Sequence, residues 1–117
     1  MNARVRLIGQ ALQEYNKLKE AVKKEIQQGL TSSSNQSLLR SIEQKTELLK
    51  ENPLAGEVVK KGKIPRDLDA DNLFKMRLSN FWRMLYTIRR EEIDIFCFVL
   101  VIESHEKYDK RFSVKKR

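Results

Sequence analysis

Cysteine, histidine and tryptophan occur once each in 117 residues, and hydrophobic residues never run long enough to cross a bilayer. The lone Cys97 has no partner in the chain, which excludes an intramolecular disulfide and a cysteine-rich zinc site and fits a reducing compartment. Its surroundings, IDIFCFVLVI, form the longest apolar run, about half the length of a membrane-spanning helix. The opening MNARVRLIGQALQEY has no apolar signal-peptide core. The expectation is a cytoplasmic protein with no membrane attachment, no metal and no cofactor. No internal repeat or second domain stands out, so residues 1–117 are read as one domain.

What the chain has in quantity is charge. Lys and Arg number 24 against 16 Asp and Glu, a net +8, and 40% of residues are hydrophobic, enough for one modest core. Residues 52–117 hold 15 basic and 10 acidic side chains and so most of the excess. A polyanion is the expected partner class.

Hydrophobic spacing divides the chain. Arg4 to Ile8 alternates basic and apolar residues, as a short edge strand would. From Ile8 the period becomes helical, through Leu12, Tyr15, Leu18, Val22 and Ile26, with Gly29 as the stop. Ser33 and Gln36, three apart, have the form of a capping box for a second helix from about Asn35. Its stripe is Leu39, Ile42, Thr46 and Leu49, widened by Leu38 and Leu48, and Asn52-Pro53 closes it. An antiparallel helical hairpin follows. Residues 54–71 read as a loop with one short helical turn.

Beyond Asn72 the period is two. Phe74, Met76 and Leu78 face one way and Lys75 and Arg77 the other; Ser79-Asn80 turns the chain. Trp82, Met84, Tyr86 and Ile88 then alternate with Arg83, Leu85 and Thr87. IDIFCFVLVI is apolar on both faces and belongs inside the sheet. The stretch HEKYDKRFSVKKR reads as a polar, basic tail anchored by Phe112.

Cations planted on strands beside the only histidine suit a phosphodiester. RNA cleavage by attack of the ribose 2′-hydroxyl needs a proton acceptor, a proton donor and stabilisation of the charged phosphorane. Arg77 and Arg83 fit the last role, because a guanidinium is a planar, permanently charged fork, with Lys75 as a third cation. His105 and Tyr108 are candidates for proton transfer. The loop cations Lys60, Lys61, Lys63 and Arg66 are candidates for gripping backbone phosphates. Each has a plainer reading beside it. Exposed Lys and Arg keep sheet edges from aggregating, a histidine after a strand can be a surface or capping group, Tyr108 can simply pack, and a lysine-rich loop can simply be solvated. Trp82, Tyr86 and Phe96 read as core.

The order of these features resembles the RelE/ParE family of toxins from toxin–antitoxin modules, from about Leu48 to Phe112. The landmarks are ELLKENPLAG, NLFKMRLSNFWRMLYTI and SHEKYDKRF. Phe74, Lys75, Arg77 and Leu78 match a Tyr-Lys-apolar-Arg/Lys-Leu strand; Trp82, Arg83 and Tyr86 match a Tyr-Arg-apolar-apolar-Tyr strand; His105 and Tyr108 fall where a histidine or arginine precedes an aromatic. The chain departs from many members at Glu106, where a basic residue follows the histidine, and in placing Tyr108 only three residues on.

The resemblance implies an α+β fold: a helical hairpin (about 8–52) packed on a curved, three- to four-stranded antiparallel sheet (about 72–102), then a basic tail (103–117). It also implies a toxin that cleaves mRNA on the ribosome, with Arg77, Arg83 and Lys75 around the scissile phosphate. His105 and Tyr108 would serve acid/base chemistry, the loop lysines ribosome docking, and a cognate antitoxin would be the partner. A ParE-type gyrase inhibitor and a non-catalytic basic nucleic-acid binder of the same fold remain the alternatives.

Overall fold

The structure is a computed structural model and describes residues 2–113. Part of the expected basic tail, residues 114–117, lies outside the described residues. Chain order is β1 (Arg4–Leu7), α1 (Gly9–Gln27), α2 (Ser34–Glu51), β2 (Glu57–Val58), β3 (Phe74–Arg77), β4 (Arg83–Glu91), β5 (Asp94–Glu103) and α3 (His105–Ser113). It is one α+β domain.

α1 ends as the chain enters the left-handed region at Gly29 (φ +87), where a residue without Cβ is unstrained. Ser33 caps α2 by accepting from the Gln36 N–H at 3.0 Å. The other half of a capping box does not form; the Gln36 side-chain NH2 donates to Glu25 and to the Leu30 carbonyl. Glu25 also receives Ser33 and Asn35, while Tyr15 donates to Glu43, so α1 and α2 lie side by side in opposite directions.

The apolar stripe of α1 is rotated from its expected line. Ala11, Leu18 and Val22 are buried while Leu12 and Ile26 are exposed, because the face turned to β5 is the one bearing the small Ala11. α2 buries Leu38, Ile42 and Leu49. Each such fully buried aliphatic side chain contributes about 1.5–3 kcal/mol.

The sheet corrects the expectation in two ways. It has five strands, ordered β1-β5-β4-β3-β2, and β1 pairs parallel to β5, from Arg4 opposite Phe96 to Leu7 opposite Val99. The three- to four-stranded antiparallel sheet at about 72–102 is therefore too small: β1 fills the open side of β5, and the two-residue β2 pairs with β3. Where β1 stops, the Gln10 side chain continues its work. Its amide donates to the Ile102 carbonyl and accepts the Ile102 N–H, both at 2.9 Å, so this stretch of β5 is not left unpaired.

Alternation on β3 and β4 sorts side chains onto two faces. Phe74, Met76, Met84, Tyr86, Cys97, Val99 and Ile102 form the core under the helices. Leu85 and Val101 face the other way, with Val59 and Leu73, and are covered by Ile64, Leu68, Tyr108 and Phe112. The register jumps between Leu85 and Tyr86, whose partners are Val101 and Val99, so Leu100 is an extra residue in β5. From the bulge onward, Val101 and Glu103 join the second face.

Residues 105–113 are a helix, which corrects the reading of a tail. Ser104 opens α3, accepting the Lys107 N–H on its hydroxyl and the Tyr108 N–H on its carbonyl. Tyr108 and Phe112, one turn apart, pack their rings with centroids 4.7 Å apart and bring the helix down onto the second face. Tyr86 fixes the opposite side. Fully buried and stacked on Phe74, its hydroxyl donates to the Pro53 carbonyl (2.7 Å) and accepts the Gly56 N–H (3.0 Å). A Cβ at Gly56 would lie 2.9 Å from the Tyr86 ring, so only glycine lets the chain pass there into β2.

Candidate active site

Lys75, Arg77 and Arg83 all fall on the second face, with their neighbours Phe74, Met76 and Met84 on the helical side. Arg77 and Arg83 are direct cross-strand partners. Two residues so placed on one face have Cβ atoms about 4.5–5.5 Å apart, and like charges there repel. The arrangement therefore stores an unmet demand for an anion.

Why no carboxylate meets that demand is visible one strand over. Glu103 is the cross-strand partner of Arg83 on its other side and is 3% exposed. Its two oxygens are taken by Arg111 of α3, Oε2 by Nε at 2.9 Å and Oε1 by Nη2 at 3.0 Å, a bidentate fork. Arg111 reaches Asp67 as well, and these carboxylates, Glu103 foremost, raise the pKa of its guanidinium. Arg83 is left with two neutral acceptors, the Phe81 and Trp82 carbonyls, at 3.1 and 3.2 Å. Among the described residues, neither Arg77 nor Arg83 is in an ion pair.

Tyr108 lies between the other cations. Its ring centroid is 5.6 Å from Arg83 Cζ and 6.0 Å from Lys75 Nζ, within cation–π range. Lys75 is less free than the arginines, since its Nζ stands 4.0 Å from Glu57 of β2. His105 begins α3 at the rim and is exposed. Its Nδ1 is 3.5 Å from the Asp109 carboxylate one turn on, which leaves Nε2 for a substrate. Its ring centroid is 6.5 Å from that of Phe81 in the β3–β4 turn.

The structure thus brings Lys75, Arg77, Arg83 and Tyr108 onto one face, with His105 at its border. Lys60, Lys61, Lys63 and Arg66 are exposed on the loop after β2, with a 3-10 turn at Lys61–Lys63, apart from the strand-borne cations. Val59, Ile64 and Leu68 pin this loop to the second face. Three participants were not legible beforehand: Glu103 and Arg111, which keep Arg83 unpaired, and Phe81. A buried acid at the end of an apolar strand, eight residues before an arginine on an amphipathic turn, is the signal that points to the first two.

Chemically, the face offers two arginines paired across adjacent strands, a third cation and a phenol, with an imidazole nitrogen at its border. That set suits a phosphodiester passing toward a pentavalent, more highly charged state.

The chain matches no protein-family model and no curated protein. Among solved structures it is similar to the E. coli toxin RelE, an arginine-to-alanine double mutant in the free state, over 100% of both chains at 14% identity with a TM-score of 0.53. The fold is therefore RelE-like: a single α+β domain with a five-stranded sheet, α1 and α2 against one face and α3 against the other. Among the described residues no helix is long and apolar enough to cross a membrane.

Proposed function

We propose that the protein is the toxin of a toxin–antitoxin pair and acts as an endoribonuclease on ribosome-bound messenger RNA. The observation that carries this reading is the Arg77–Arg83 pair, opposed across two strands on an accessible face while the nearest buried carboxylate is claimed by Arg111. The scissile phosphate sits against the two guanidiniums, with Lys75 beside them. The 2′-hydroxyl of the preceding ribose loses its proton, its oxygen bonds to phosphorus, the bond to the 5′-oxygen breaks, and that oxygen takes up a proton. His105 Nε2 and the Tyr108 hydroxyl are the groups for the two proton transfers. The reaction draws on no resident metal or cofactor.

Lys60, Lys61, Lys63 and Arg66 grip ribosomal RNA phosphates in this reading, and a cognate antitoxin masks the cationic face in the cytoplasm. The test is incubation of purified protein with ribosomes carrying a defined mRNA. Cleavage giving a 2′,3′-cyclic phosphate and a 5′-hydroxyl is the expected product pattern. Intact mRNA, with inhibition of gyrase on supercoiled DNA in a parallel reaction, would replace the nuclease by a gyrase poison of the same fold.

A further inference from the structure

Phe81 breaks two rules at once. Its side chain is 76% exposed, although a ring of this size stabilises a fold mainly when buried. Its backbone sits at φ +64, in the left-handed region where Cβ crowds the following carbonyl. Asn80 before it, at φ 60, is a residue that tolerates the region, and a glycine at 81 would make the same turn without strain. The turn is held from outside: the Ser79 N–H donates to Ser41 Oγ at 3.1 Å and the Asn80 amide to the Ser34 carbonyl at 2.8 Å, both on α2. A scaffold that imposes strain and displays an aromatic ring in water spends stability on something outside the core.

The ring's surroundings say on what. Its nearest aromatic neighbour is the His105 imidazole, and its own carbonyl accepts a hydrogen bond from Arg83. A ligand that fills this corner must bring an anion for Arg77 and Arg83 together with a flat apolar face for the ring. A nucleotide carries both.

We infer that Phe81 is a stacking platform for the nucleobase adjoining the phosphate held by Arg77 and Arg83, so that the site takes its RNA by base face and phosphate together. This rests on the nuclease reading. Every base has a π-face, so the platform orders the strand without choosing sequence strongly. Stacking also fixes the ribose between base and phosphate, which is what in-line attack by the 2′-hydroxyl requires.

The test compares Phe81→Gly, which removes ring and strain together, with Phe81→Tyr, which keeps the aromatic face. Ribosomes are programmed with mRNA carrying 2-aminopurine at successive positions of the message in turn, and both fluorescence quenching and cleavage are read. Wild type and Phe81→Tyr should quench at one position and cleave at similar rates. Phe81→Gly should melt no lower than wild type, lose the quenching and cleave about 10-fold more slowly or worse. Quenching or cleavage by Phe81→Gly equal to wild type overturns the inference. If wild type cuts nothing, the nuclease reading fails by itself, and the quenching still decides whether Phe81 holds a base.

Discussion

The two faces of the sheet hold aliphatic side chains from the same strands, β4 and β5, but differ in what closes over them. On the helical face, α1 and α2 bury Met84, Tyr86, Val99 and Ile102 completely, and the Tyr86 hydroxyl there is paired with the Pro53 carbonyl and the Gly56 N–H. On the other, a loop and one short helix cover Leu85 and Val101 and stop short of Arg77. The first face is closed by the hydrophobic effect. The second is closed only as far as the Glu103–Arg111 clasp reaches, and beyond it stand Arg77 and Arg83, which no acid among the described residues neutralises. A fold that builds one face for cohesion can leave the other for charge, because alternation along a strand separates the two sets residue by residue.

Several substitutions would break or sharpen that contrast. The largest stability effect is expected from Ile42→Ala on α2, where the side chain is fully buried. It should cost about 3–4 kcal/mol in urea unfolding. Arg77→Ala on the open face should change stability by no more than about 0.5 kcal/mol. A comparable loss from Arg77→Ala would mean that the cation supports the fold.

Next comes the clasp. Arg111→Ala leaves the Glu103 carboxylate buried without its partner, and about 3 kcal/mol of destabilisation is expected. In Arg111→Ala/Glu103→Gln the stranded charge is gone, and much of the loss should return. No recovery in the double variant would contradict the clasp as the reason Glu103 tolerates burial.

A smaller effect separates the faces by pH. Burial pushes the Cys97 thiol from 9.0 up to about 11 and the Tyr86 phenol from 10.0 up to about 12, and both groups lie on the helical face. Raised values mean that the folded state holds these protons longer than the unfolded chain does. Their contribution is full below about pH 9 and is lost as pH rises through the folded values. Unfolding free energy measured from pH 7 to 11 should fall above about pH 9, and Cys97→Ala should delay the onset toward pH 10. An onset unmoved by Cys97→Ala would show that the thiol is not the first group to titrate.

How much of this could be read in advance depended on range. The period of two from Phe74 to Ile88 sets Lys75 and Arg77 opposite Phe74 and Met76, and Arg83 opposite Trp82 and Met84, because strand alternation is local; the pairing that brings all three onto one face comes from the structure. The capping Ser33 was legible for the same reason. The parallel pairing of β1 with β5 was not, since Arg4 meets Phe96 only after both helices have intervened. The stretch that forms α3 reads as a tail because only Tyr108 and Phe112 mark its apolar side. The exposure of Leu12 and Ile26 follows from a helix rotated to seat Ala11 on β5, which periodicity alone does not determine. Phe81 was hidden because a bulky residue is a poor choice for a left-handed turn. Such local conflicts are where functional demands override folding ones.

The most direct measurement is the rate at which Arg83→Ala cuts ribosome-bound mRNA, with its unfolding free energy determined on the same preparation. The guanidinium pair as the charge-stabilising centre predicts a loss of about 100-fold or more in rate with stability held within about 0.5 kcal/mol. A variant that folds normally and cuts as fast as wild type would contradict it.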